Sequence, residues 1–116
     1  KNLDELKTLR LAGLDRVHIG LESGSDAVLA LVKKGVTAQE HIEAGRMVKA
    51  AGISLSEYIM PDLGGRELWE DHALGTARVL NAIDPDFILL RLATLGYGGQ
   101  VRVVLYVSAA GGHRWT

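Results

Sequence analysis

The sequence contains no cysteine, and this absence removes several kinds of site from the chain. Without a thiol, these 116 residues hold no disulfide scaffold, no cysteine nucleophile, no thiolate zinc site and no cysteine-ligated iron–sulfur cluster. The chain also lacks an excess of positive or negative charge, because its formal net charge is only −1. No apolar run reaches the ~18 residues of a membrane-spanning helix. We therefore expect neither a nucleic-acid partner nor a membrane partner.

Proline and aromatic residues are scarce as well, with two prolines and an aromatic share of 5%. Apolar residues make up 47% and charged residues 23%, which is typical of a packed soluble domain. The length fits at most one domain, since domains usually have ~100–200 residues. The sequence begins with Lys1, so we expect it to be part of a longer protein.

Helical and strand-like hydrophobic patterns alternate along most of the chain. A T-x-x-E capping box at Thr37 predicts the start of one helix, and the Asp-Pro-Asp sequence at 84–86 predicts the end of another. The patterns predict helices over 3–12, 26–34, 37–51 and 66–83, and strands over 16–21, 53–60 and 87–92.

This alternation predicts an α/β fold made of βαβ units with parallel strands and right-handed crossovers. Two architectures remain open: a small doubly wound sheet of the flavodoxin type, and part of a (β/α)₈ barrel. A complete barrel needs ~250 residues, so this chain would supply about half of one. A topological switch point in the sheet would favour the first, and consecutively ordered strands would favour the second.

In both architectures, ligands bind where strands end, which selects the loops at 22–26, 57–65 and 91–94. Glu22 ends an apolar strand, where its carboxylate could contact a ligand. Alternatively, it could cap the next helix. Lys34 could bind a ligand or simply neutralise a helix C-terminus. Glu57 lies in an apolar strand, where either a position at a barrel rim or a salt bridge with Arg91 would be a purely structural explanation.

The four histidines lack the spacing of a metal site, so we predict no metal ligand in this chain. His41 and His72 lie on predicted helices and are expected at the surface. His18 alternates with the apolar residues of its strand and is expected on the other face.

Residues 16–37, RVHIGLESGSDAVLALVKKGVT, resemble the fourth strand and following helix of the radical S-adenosylmethionine (SAM) superfamily barrel. The similar branch includes the oxygen-independent coproporphyrinogen dehydrogenases and the methylthiotransferases. The segment SEYIMPDLGG at 56–65 looks like the fifth strand and its exit loop, and DPDFILLR at 84–91 looks like the entry to the sixth. The resemblance covers roughly residues 3–91.

The resemblance implies a fold: a partial TIM-like barrel of about three βα units, with residues 1–91 forming the C-terminal half of the radical SAM core. It also implies a chemistry, in which a reduced [4Fe-4S] cluster cleaves SAM to methionine and a 5′-deoxyadenosyl radical. That radical takes a hydrogen atom from a substrate that the sequence does not identify. A cytoplasmic iron–sulfur enzyme is the expected parent.

The same resemblance assigns SAM-binding roles to six residues of this chain. Glu22 looks like a polar contact to SAM, with Ser23 as an additional one. Lys34 falls where related enzymes place a basic residue toward the methionine carboxylate. Glu57 resembles an acidic residue that bonds the SAM ribose, with Ile59 and Met60 near the adenine.

The departures from the family pattern set the limits of the expected function. The C-x-x-x-C-x-x-C cluster motif is absent, so its cysteines are expected before Lys1 and the chain alone should be inactive. Asp62 stands where relatives tend to have glycine. Residues 92–116 match nothing expected, and are either a further strand around Val101–Val107 or sequence read out of frame. A non-catalytic, decayed barrel is the remaining alternative, and open sheet edges predict self-association.

Overall fold

Helices and strands alternate in the computed structural model, which describes residues 2–61 and 63–91. The predictions for Asp62 and for residues 92–116 lie outside the described residues. The elements are α1 (Leu3–Leu11), β1 (Arg16–Glu22), α2 (Asp26–Leu31), α3 (Ala38–Ala50), β2 (Ser54–Ile59), α4 (Gly65–Ile83) and β3 (Phe87–Leu90).

The three strands form one parallel sheet in the order β1-β2-β3. Each strand pairs with its neighbour in sequence, so the described sheet contains no topological switch point. This arrangement confirms the α/β fold of a partial βα barrel. β1 and β3 are the two edge strands of the described sheet, and self-association through them stays a prediction.

One face of the sheet packs against the helices. Side chains alternate between the two faces along each strand, which places Leu21 of β1 and Leu55 and Ile59 of β2 on the same side. These residues share a core cluster with α1, α3 and α4, which contribute Leu6, Val48, Val79, Leu80 and Ile83. We call this side the helix-covered face.

The opposite side of the sheet, which we call the open face, carries Arg16, His18, Gly20, Ser54, Ser56, Tyr58, Phe87 and Leu89. None of these residues belongs to the apolar core cluster of the described chain. His18 lies on this face, as predicted. The carboxyl ends of the three strands meet at one edge of the sheet, where β1 ends at Glu22.

The second helix is shorter than predicted and ends at Leu31 rather than residue 34. Lys33 has a φ of 54° and Gly35 a φ of 78°, so the chain leaves the right-handed helical region there. No helix of the described residues is both long enough and apolar enough to cross a membrane.

The predicted capping box at the start of α3 is present and gives a first testable effect. Thr37 Oγ1 accepts a bond from the Glu40 amide at 3.1 Å, and Glu40 Oε1 accepts one from the Thr37 amide at 3.2 Å. We expect Thr37→Ala to lower the free energy of unfolding by about 1 kcal/mol in urea denaturation, since a cap satisfies otherwise free backbone donors.

Thr8→Ala is the matched control for this prediction. The Thr8 hydroxyl donates to the Asp4 carbonyl at 2.9 Å inside α1 and caps no helix. Its removal should leave stability nearly unchanged. Equal losses from the two variants would show that the box contributes nothing of its own.

Candidate functional site

Glu22 is turned out of the sheet where β1 ends. Its φ is 64°, a left-handed value that costs a non-glycine residue roughly 1 kcal/mol, and the strand register shifts between Gly20 and Glu22. The Glu22 carbonyl accepts a bond from the Met60 amide at 3.0 Å, and the Ser23 amide donates to the Leu21 carbonyl at 2.7 Å. Backbone bonds on both sides therefore fix the direction of this carboxylate.

Lys34 lies against Glu22 although twelve residues separate them in sequence. Its Nζ is 3.3 Å from Glu22 Oε1, and the two side chains are 27% and 32% exposed, respectively. A Cβ placed on Gly20 would lie 3.7 Å from both of these atoms. The absence of a side chain at Gly20 therefore leaves a small space beside a pair of opposite charges. We call this group, Gly20, Glu22 and Lys34, the charged pair site.

His41 is buried near the charged pair site, so the prediction that it lies at the surface is wrong. It is only 6% exposed, and its Nε2 has no hydrogen-bond partner among the described residues. Burial lowers the pKa of His41 below 6.5, and the positive charge of Lys34 lowers it further, while Glu22 opposes this effect. These effects favour the neutral form of the His41 ring, which lies within electrostatic reach of the pair.

His72 is also buried, which corrects the second prediction of a surface histidine. It is 3% exposed, and its Nδ1 lies 2.7 Å from Ser23 Oγ. The Ser23 hydroxyl also accepts a bond from the Ser25 amide at 3.0 Å. Ser23 is thus wholly buried, with its hydroxyl engaged inside the protein.

These contacts belong to a tight junction between the loop after β1 and α4. The Gly24 amide donates to Thr76 Oγ1 at 2.9 Å, and the Ser25 hydroxyl donates to Asp71 Oδ2. A Cβ on Gly24 would lie 2.4 Å from the Gly75 carbonyl oxygen, so only glycine permits this approach. We call this junction the loop–helix contact, and it anchors the segment that follows Glu22.

Glu57 lies on the helix-covered face, between Leu55 and Ile59 along β2. It is 0% exposed, and neither of its carboxylate oxygens has a partner among the described residues. Burial raises the pKa of Glu57 to about 8, because the charged form has lost its water. The side chain is therefore largely protonated at neutral pH.

The salt bridge from Glu57 to Arg91 does not form. The Arg91 guanidinium lies over the Tyr58 ring on the open face, 5.3 Å from its centroid, and Tyr58 lies 5.8 Å from the His18 ring. Near the start of the sheet, Arg16 lies 4.2 Å from the Phe87 centroid and donates to Ser56 Oγ. Alternation along the strands was the sequence signal that could have placed these rings and cations on one face.

The structure thus divides the six residues that the resemblance singled out. Glu22, Lys34 and Met60 gather at the carboxyl edge, with Met60 held there by its backbone bond to Glu22. Ser23, Glu57 and Ile59 are buried behind that edge. Their roles toward SAM stay predictions.

A cluster-binding group is not found in this part of the protein. The described residues contain no group of three or more His, Cys, Asp or Glu that could hold a metal ion, and the 116 residues include no cysteine. A [4Fe-4S] cluster therefore does not fit the residues present.

Parallel strands in consecutive order, with polar groups at their carboxyl edge, define this chain as a segment of a βα barrel. The chain belongs to the radical SAM superfamily, whose family model matches residues 2–74. This match confirms the family resemblance carried by residues 16–37.

Three curated proteins illustrate the similarity. The chain is 46% identical over 57 residues to 4′-phospho-dehydrooxetanocin synthase of Priestia megaterium, covering 47% of this chain and 8% of that protein. It is 40% identical over 81 residues to tRNA-2-methylthio-N(6)-dimethylallyladenosine synthase of Alkalilimnicola ehrlichii, covering 66% and 17%. It is 27% identical over 84 residues to tRNA uridine(34) acetyltransferase of Methanocaldococcus infernus, covering 72% and 15%. The matched segment is therefore a small part of each of these proteins.

Proposed function

We propose that this chain is the part of a radical SAM enzyme that holds the methionine end of SAM. The observation that carries the proposal is the Glu22–Lys34 pair beside Gly20 at the carboxyl edge of the sheet. In the whole enzyme, a [4Fe-4S] cluster held by other residues would supply the electron for radical chemistry on SAM, and this chain's own residues would bind and orient SAM. The thiolates for such a cluster belong to the enzyme outside these 116 residues.

The charges of the pair match those of an amino acid. The methionine part of SAM carries a carboxylate and an ammonium on one carbon, which can pair with Lys34 and Glu22, respectively. The pair is partly exposed, and surface ion pairs contribute only ~0–1 kcal/mol, so contacts to a ligand can replace it. Gly20 leaves space for the ligand to approach both charges.

The other predicted contacts have unequal support. Met60 lies beside Glu22 and is available to contact the adenine. The unpartnered oxygens of Glu57 would accept ribose hydroxyls as partners, but Glu57 and Ile59 point to the helix-covered face. The Ser23 hydroxyl already has two partners. We therefore centre the SAM site on Glu22, Lys34 and Met60, and location in the cytoplasm remains a prediction.

Isothermal titration calorimetry with SAM tests this proposal on the chain itself. We expect Lys34→Met and Glu22→Gln each to weaken SAM binding at least tenfold, about 1.4 kcal/mol, because each removes one charge partner of the methionine moiety. Lys49→Met is the matched control, since Lys49 forms a similar ion pair with Asp86 at 2.9 Å, away from the carboxyl edge. Its SAM affinity should equal that of the unchanged chain.

Circular dichroism establishes that each variant is folded. A folded chain that does not bind SAM would contradict the proposal and favour a non-catalytic barrel. Unchanged SAM affinity in folded Lys34→Met would remove the charged pair from the site.

A further inference from the structure

The open face of the sheet has an unusual charge distribution. It carries the guanidinium of Arg16, and that of Arg91 follows at the end of β3. No carboxylate occurs among its residues in the described strands. The nearest acid at the carboxyl edge is Glu22, and Lys34 neutralises it.

The two arginines on this face are in different states. Both lie over an aromatic ring, but the Arg16 guanidinium also donates two hydrogen bonds to Ser56 Oγ, so its donors are already engaged. Arg91 is exposed and forms no ion pair with the described residues. Its amide donates to the Ile59 carbonyl at 2.8 Å, so its backbone is held at the end of the sheet.

Tyr58 and His18 lie beside Arg91 and give this face an aromatic surface. Tyr58 is only partly buried and His18 is exposed, and their ring centroids are 5.8 Å apart. Rings of this kind stack with planar ligand groups, and guanidinium groups bind phosphate or carboxylate through paired N–H donors. Within the described part of the chain, this surface thus combines aromatic rings with a guanidinium that forms no ion pair, and its strands carry no carboxylate.

We propose that the open face binds a nucleotide-like substrate, with its planar ring against Tyr58 and His18 and its oxyanion on Arg91. This inference rests on the proposed function, because it names the substrate class of the same site. In a closed barrel the face without helices lines the interior. Glu22 ends β1 and Arg91 follows β3, two strands away, so about 10 Å separates the backbones that carry the two sites.

Uridine 5′-monophosphate, uridine and inorganic phosphate are the probes, because the uracil ring avoids competition for an adenine site. We expect the chain to bind uridine 5′-monophosphate at least tenfold more tightly than uridine or phosphate in calorimetric titrations. Arg91→Gln should reduce this affinity at least tenfold and leave the weaker uridine binding unchanged. Affinity for the monophosphate should also fall as salt increases.

Two further variants separate charge from folding. Arg46→Gln is the matched control, since its guanidinium donates to the Ala82 carbonyl at 2.9 Å on the helical side. It should leave binding of every probe unchanged. Arg91→Lys keeps the charge but loses the paired donors, and we expect an intermediate affinity.

Several outcomes would overturn the inference. The inference fails if the chain binds uridine, or phosphate alone, as tightly as uridine 5′-monophosphate. It also fails if a folded chain does not bind the monophosphate, or if Arg91→Gln leaves the affinity for the monophosphate unchanged. SAM titrations of the same variants keep the two proposals apart. Loss of monophosphate binding in Arg91→Gln with SAM binding intact supports this inference, whereas loss of SAM binding alone would assign Arg91 to the SAM site and overturn it.

Discussion

Replacing Glu57 with leucine should raise the free energy of unfolding by about 3 kcal/mol at pH 7. Burial raises the pKa of Glu57 from 4.5 to about 8, so at pH 7 the protein must keep a proton that the unfolded chain would release. The difference between pH 7 and the unfolded pKa, at 1.36 kcal/mol per pH unit, gives this value. Leucine removes the two unpartnered oxygens and keeps the apolar contacts.

Urea denaturation of Glu57→Leu measures the effect, with Glu43→Leu as the control. Glu43 is exposed on α3, and among the described residues its carboxylate accepts one long hydrogen bond, from Gln39 Nε2 at 3.4 Å. Leucine there should leave stability within about 0.5 kcal/mol of the unchanged chain. A loss of stability in Glu57→Leu would mean that the carboxyl group has a stabilising partner.

The same carboxyl group should make stability depend on pH. The folded pKa lies above the unfolded one, so stability is greatest below about 4.5 and falls until the pH passes about 8. His41 acts oppositely, because its lowered pKa removes stability as the pH falls below 6.5. Glu57→Gln isolates the carboxyl contribution: the difference from the unchanged chain should widen between pH 5 and 8. A constant difference would contradict the raised pKa.

Among the described glycines, Gly24→Ala is expected to be the most damaging substitution by alanine. The new Cβ would lie 2.4 Å from the Gly75 carbonyl oxygen and 2.6 Å from Thr76 Cα. Both neighbours are backbone atoms, so the loop after β1 must move away from α4. We expect the free energy of unfolding to fall by about 3 kcal/mol, the upper end for overpacking.

Ligand binding should report the same displacement. The loop–helix contact anchors the segment that follows Glu22, so moving it shifts the carboxylate, and SAM affinity should fall in Gly24→Ala. Ala30→Ser, which also adds one heavy atom but on the exposed side of α2, is the control. Equal denaturation midpoints for the two variants would show that the contact tolerates a side chain.

The hydrophobic pattern predicted every element of the described chain, but not which polar residues face inward. Both buried histidines were placed at the surface because a polar residue on a helix is usually exposed. The helical periodicity of the buried residues predicts the correct placement of both histidines. His41 shares a face with Gly45 and Val48, and His72 shares one with Thr76 and Val79, at spacings of four and seven residues.

The charged pair was only half predictable. That Glu22 lies at a strand end follows from the pattern, whereas its contact with Lys34 depends on how α2 turns back over the edge. The alternation of side chains along β2 could have predicted which face of the sheet Glu57 occupies. Leu55 and Ile59, two residues before and after it, are both core residues. The end of a strand therefore indicates where along the chain a site lies. The alternation of side chains along the strand indicates which face of the sheet each residue occupies.

The consecutive strand order also describes how the molecule can be assembled. In the described sheet, β2 pairs with β1 and β3 pairs with β2, so each new strand joins the one synthesised just before it, and a single helix connects β2 to β3. When the next strand leaves the ribosome, the edge strand with which it pairs has therefore already been synthesised. None of the three described strands has to wait for a distant partner, so folding of this sheet can keep pace with translation.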